Sequence, residues 1–104
     1  MLSERDICDI RDRIAGQLQP DKIVLFGSYA ENRATEDSDV DLLVVMSSKL
    51  DQLQRNLAVK RLFRNRSFSL DAFVLTPEEF ELYRKVKGSL VHKAMQAGRV
   101  IYEH

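Results

Sequence analysis

IVLFGSYAENRATEDSDVDLLVV, residues 23–45, holds two apolar runs on either side of a polar connection. The first, Ile23-Val24-Leu25-Phe26, stops at Gly27-Ser28. The second, Leu42-Leu43-Val44-Val45, follows Ser38-Asp39-Val40-Asp41. Short aliphatic runs bounded by turn-forming residues are strand signals, so the pattern predicts strand, tight turn, polar connection, strand. Successive side chains of a strand point to opposite faces, and those on one face repeat every ~6–7 Å. Asp39 and Asp41 therefore share one face, while Val40, Leu42 and Val44 point the other way, toward a core. Like charges at that range raise each other's pKa, and apolar surroundings disfavour ionisation further. A hard divalent cation removes the penalty, because it takes carboxylate oxygens and supplies the missing charge. The pair is a candidate Mg²⁺ site.

Gly27 and Ser28 supply the other half of the pattern. A glycine after a strand permits a tight turn and close approach of a ligand to the backbone. A serine adds a hydroxyl and opens a segment whose N–H groups can face an anion. Tyr29 to Asn32 are expected to form a short helix from Ser28. Phosphates at Gly27 and Ser28, beside cations at Asp39 and Asp41, point to a nucleoside triphosphate with Mg²⁺.

Gly-Ser, ten residues, then Asp-x-Asp, between two apolar strands, resembles the nucleotidyltransferase signature of the DNA polymerase β-like superfamily. The chain resembles above all its small members, the minimal nucleotidyltransferases, or MntA-type antitoxins paired with HEPN toxins. The resemblance covers essentially the whole chain. Gly-Ser alone says nothing, and a lone Asp-x-Asp is often a solvated strand start; order and flanking strands together make the signature specific. The resemblance implies an α/β (α+β) fold, a small mixed β-sheet flanked by helices. It also implies a third catalytic aspartate on a following strand. The run Phe68–Leu75 supplies one, Asp71, an acid in an otherwise apolar strand. A salt bridge from Asp71 to a nearby arginine is the structural alternative. Glu31 and Asn32 depart from the family pattern, where many relatives have arginine followed by glycine. Arg33 is a candidate triphosphate contact that could replace the displaced arginine, since guanidinium suits phosphate; a solvated loop arginine is the alternative.

The remaining chain is read around this centre. Its 104 residues suit one domain, expected to span residues 1–104. With 16 basic and 16 acidic residues the formal charge is zero, which argues against binding nucleic acid through a basic patch. The single cysteine, Cys8, rules out an internal disulfide. No apolar run approaches the ~20 residues that span a membrane, and the N-terminus lacks a signal-peptide core. A cytoplasmic protein is expected. Ser3 and Asp6 form a capping-box pattern before a helix carrying Ile7, Ile10, Ile14 and Leu18. A second helix is expected from Leu50 to Arg64, apolar at Leu50, Leu53 and Leu57 and basic at Arg55, Lys60, Arg61, Arg64 and Arg66. Thr76-Pro77-Glu78-Glu79 opens a third, with Phe80, Tyr83 and Val86 as its apolar positions. Ser89 caps a fourth, Leu90 to Ala97, and Arg99–Tyr102 reads as a short edge strand.

Three carboxylates and a Gly-Ser turn point to metal-assisted phosphoryl-group chemistry. Asp39 and Asp41 would hold two Mg²⁺ ions, and Asp71 would ligate the second and take the acceptor proton. By resemblance, the donor is ATP, the transferred group AMP, and the acceptor a tyrosine of a HEPN-domain toxin, the two chains forming a hetero-oligomer. Two other readings compete. One is a catalytically weak binding module that neutralises its partner by complex formation. The other is one subunit of a small-molecule adenylyltransferase.

Overall fold

The computed structural model describes every residue from Met1 to His104. Its centre is a four-stranded mixed sheet of order β3-β2-β1-β4, with β1 Lys22–Phe26, β2 Val40–Val45, β3 Leu70–Leu75 and β4 Arg99–Glu103. β1 pairs antiparallel with both β2 and β4, whereas β3 runs parallel to β2. Helices α1 (Glu4–Leu18), α2 (Gln52–Lys60), α3 (Pro77–Tyr83) and α4 (Leu90–Ala97) cover it. The expected mixed sheet flanked by helices is therefore present, with β4 as an edge strand.

Both faces of the sheet are buried, which explains why β2 is apolar on both sides. Ile7, Ile10 and Ile14 of α1, with Val59 of α2 and Phe63, pack on Ile23, Leu25, Leu42 and Val44. Phe80 of α3 and Val91 and Ala94 of α4 pack on Val24, Leu43 and Val45. The predicted caps form: Ser3 and Asp6 close a capping box on α1, and Thr76 and Glu79 close another on α3. α1 ends at Gln19, in the left-handed region at φ 50°, just before Pro20.

Four expectations need correction. Tyr29–Asn32 form turns, not a helix, because Asn32 sits in the left-handed region at φ 58° and the chain cannot propagate. The second helix is shorter than residues 50–64: α2 ends at Lys60 and a single 3₁₀ turn, Arg61–Phe63, follows. Leu50 and Leu53 face solvent rather than the core. The side of α2 that meets the sheet is partly polar. Asn56 Oδ1 accepts from the Val74 N–H at 2.9 Å, and Gln52 Nε2 donates to the Val74 carbonyl at 2.6 Å. These amides satisfy the outer backbone edge of β3, the kind of edge that otherwise invites strand pairing. β3 begins at Leu70 rather than Phe68, so Asp71 is its second residue, and Phe68 packs on the core from the preceding loop. Finally, α3 stops at Tyr83, and Tyr83 and Val86 are exposed. No helix is long and apolar enough to cross a membrane.

Candidate active site

The strand register brings the predicted acids to one end of the sheet. Phe26, the last residue of β1, is paired with Asp41, which is paired in turn with Asp71. Asp39 lies one residue before β2, where a bond from the Val40 N–H to the Ser69 carbonyl (2.8 Å) ties the two strand starts together. Asp41 shares its face with Leu43, and Asp71 shares its face with Phe73. α3 and α4 pack over Leu43 and Val45, farther along β2. Asp41 and Asp71 are left half-buried at the uncovered end, and Asp39 is exposed.

None of the three carboxylates accepts a hydrogen bond or enters an ion pair; the chain's pairs lie elsewhere, so the arginine alternative for Asp71 does not hold. Burial, then the charge of Asp71, then that of Asp39, push the Asp41 carboxyl up to about 6. An acid destabilised by neighbouring acids and lacking any protein donor has the chemistry of a cation ligand. The donor set thus fits Mg²⁺ in type and charge. The three side chains are not drawn together into a preassembled metal cluster.

Gly27 packs directly against this group. It adopts φ 75°, and a Cβ there would collide with Asp41 Oδ2. Only glycine satisfies both constraints without strain. The turn then closes on itself: the Ala30 and Glu31 N–H groups donate to the Gly27 carbonyl at 3.1 Å, and the Arg33 N–H donates to the Ser28 carbonyl at 2.9 Å. The N–H groups of Ser28 and Tyr29 have no protein acceptor and remain available to an anion. Gly27, Ser28, Asp39, Asp41 and Asp71 are therefore gathered in one place. Arg33 is not held there. It is 65% exposed and pairs with Glu31 at 3.2 Å, so an acid already answers part of its charge.

Two features escaped the sequence reading. The Tyr29 hydroxyl accepts from the Leu2 N–H at 3.0 Å, fastening the turn to the segment ahead of α1. Phe26 and Phe73, with ring centroids 6.1 Å apart, flank the acids on the same face. The signal for the second was present, since Phe73 stands two residues after Asp71. The largest cleft, about 860 Å³, is lined by residues including Tyr29, Ser38, Arg64, Arg66 and Ser69, and none of the three acids borders it.

Residues 7–99 match the nucleotidyltransferase domain family. A provisionally named protein adenylyltransferase of Methanocaldococcus jannaschii is 32% identical over 93 residues, covering 89% of this chain and 87% of that protein. A provisionally named nucleotidyltransferase from Sulfolobus solfataricus superposes with TM-score 0.62 at 21% identity, over 92% of this chain and 76% of that one. A mutant of the toxin–antitoxin MntA-HpeT superposes with TM-score 0.63 at 20% identity, over 100% of this chain and 75% of that one. A toxin–antitoxin structure with AMP-PNP gives 0.62 at 21%, over 99% and 75%. At these identities the solved structures show a shared fold. The family match and the M. jannaschii relative, together with the strand–turn–strand frame around Asp39 and Asp41, establish that the chain belongs to the nucleotidyltransferase domain family and is a nucleotidyltransferase.

Proposed function

We propose that this protein transfers AMP from ATP to a hydroxyl of a partner protein, a tyrosine of a HEPN-domain toxin, in a Mg²⁺-dependent reaction. The observation that carries the reading is the row of three unpartnered carboxylates beside the Gly27–Ser28 turn. The free N–H groups of Ser28 and Tyr29 and the Ser28 hydroxyl cradle the triphosphate. Asp39 and Asp41 would hold two Mg²⁺ ions, with Asp71 as a further ligand. When bound, the ions neutralise the triphosphate and make the acceptor hydroxyl more acidic. Asp71, on the edge strand β3, takes the hydroxyl proton as the acceptor oxygen bonds to the α-phosphorus. The bond from that phosphorus to the bridging oxygen breaks, and pyrophosphate leaves. Positioning and charge neutralisation supply the rate. The choice of AMP and of a protein acceptor is supported by the relative named for protein adenylylation and by the toxin–antitoxin fold neighbours.

Intact-mass spectrometry tests this. The protein is mixed with ATP, Mg²⁺ and the proposed HEPN-domain partner, with an Asp39→Asn/Asp41→Asn control. A gain of one or more AMP masses on the partner, absent in the control, is expected. Formation of a stable complex with no gain in mass would refute the transfer reading.

A further inference from the structure

Phe73 has two neighbourhoods. Its ring meets Phe26 beside the acids. Phe73 also lines a groove of about 220 Å³ between the start of α2, the end of α3 and the start of α4, together with Gln52, Leu75, Tyr83, Leu90 and Val91. The groove therefore begins on β3 two residues below Asp71 and on the same face, ~6–7 Å along the strand. Its lining is mostly apolar, and it lies within an unusual surface. Tyr83 and Leu90, which line it, are 44% and 41% exposed, and Leu82 and Val86, on the same stretch of chain, are 63% and 48% exposed. A contiguous exposed apolar patch rimmed by polar residues marks an interaction site.

The connection from α3 to α4, between the lining residues Tyr83 and Ser89, carries one sign of charge. From Leu82 to Lys93 the chain holds Arg84, Lys85, Lys87 and Lys93 and no acid. Arg84 pairs with Glu81 at 3.6 Å, while the three lysines have no partner. In a chain whose formal charge is zero, this concentration is local and faces solvent. The acid row itself is negative and repels an acidic acceptor chain; the basic α3–α4 connection attracts one.

We infer that this groove docks the acceptor protein, through an apolar segment flanked by carboxylates, and that Phe73 joins the docking surface to the catalytic end of the sheet. The inference rests on the protein-acceptor reading above. Docking there sets the acceptor hydroxyl on the Asp71 side of the acid row, away from the Gly27–Ser28 turn that holds the triphosphate.

The test measures binding of the HEPN-domain protein by titration calorimetry without nucleotide. The chains compared are the wild type, Leu90→Asp, Lys85→Glu/Lys87→Glu and the Asp39→Asn/Asp41→Asn control. Leu90, Lys85 and Lys87 are exposed, and circular dichroism with an AMP-PNP titration verifies that fold and nucleotide site survive. Each groove variant is expected to weaken partner binding at least ~10-fold, while the aspartate control binds as the wild type does. Undiminished binding by both groove variants, or no binding by the wild type, would overturn the proposal. So would sedimentation showing that the wild type alone dimerises and Leu90→Asp is monomeric, because a second copy would then occupy the face. Loss of AMP transfer with groove-dependent binding intact would count against the transfer reading and leave the docking site standing.

Discussion

Asp41 bears the electrostatic cost of the site. Its carboxyl is raised from 3.8 to about 6 by burial first and by Asp71 and Asp39 after it. An acid that binds protons more tightly when folded lowers stability as pH rises between those two values, and above about 6 the penalty is complete. Asp41→Asn should therefore stabilise the metal-free protein at neutral pH by on the order of 1 kcal/mol, after discounting for solvent screening. The gain should shrink at about pH 4. Urea unfolding at both pH values checks this, and the same variant should lose at least ~10²-fold in transfer rate. Gly27→Ala should cost about 1–3 kcal/mol, because it meets both a positive φ and the Asp41 carboxylate. Thermal unfolding would show it as a drop in melting temperature. At this scale the candidate site residues were legible because their type and spacing carry the chemistry: two acids with a single residue between them, and a glycine ending a strand. The Glu31–Arg33 pair was not, since adjacent charges in a loop leave no periodic signal.

Strands were read well and helices less well, for a reason visible in α2. Short apolar runs bounded by turn-forming residues located β1 and β2. In α2 the hydrophobic rule misled, because two of its sheet-facing contacts are the amides of Gln52 and Asn56 bonding to the Val74 backbone. Leu50 and Leu53, which the sequence suggested as core, were freed for the surface. Periodicity cannot distinguish a polar side chain that pairs with a strand edge from one that faces water. Asn56→Ala should therefore cost about 1–3 kcal/mol, more than an exposed helix substitution, because it strands the half-buried Val74 N–H. Chemical denaturation should report the loss, and hydrogen exchange should rise at Val74. Of the three apolar positions expected in the third helix, Tyr83 and Val86 are exposed: α3 spans only Pro77–Tyr83, and Phe80 anchors it in the smaller core.

Across the whole molecule, helices cover both faces of the sheet but leave the end with Asp41 and Asp71 uncovered. That end leaves the acids open to solvent. The apparent Mg²⁺ affinity should rise with pH as the Asp41 proton is lost, and level off above about pH 7, which a titration from about pH 5 to about pH 8 would trace. The most direct test of the acid row as a metal-nucleotide site is titration calorimetry of AMP-PNP, with Mg²⁺ and with EDTA, on the wild type and Asp39→Asn/Asp41→Asn. The account predicts binding by the wild type that weakens at least ~10-fold in EDTA, and a folded double variant that binds weakly in both conditions. Mg²⁺-dependent binding of equal strength in the double variant would contradict it.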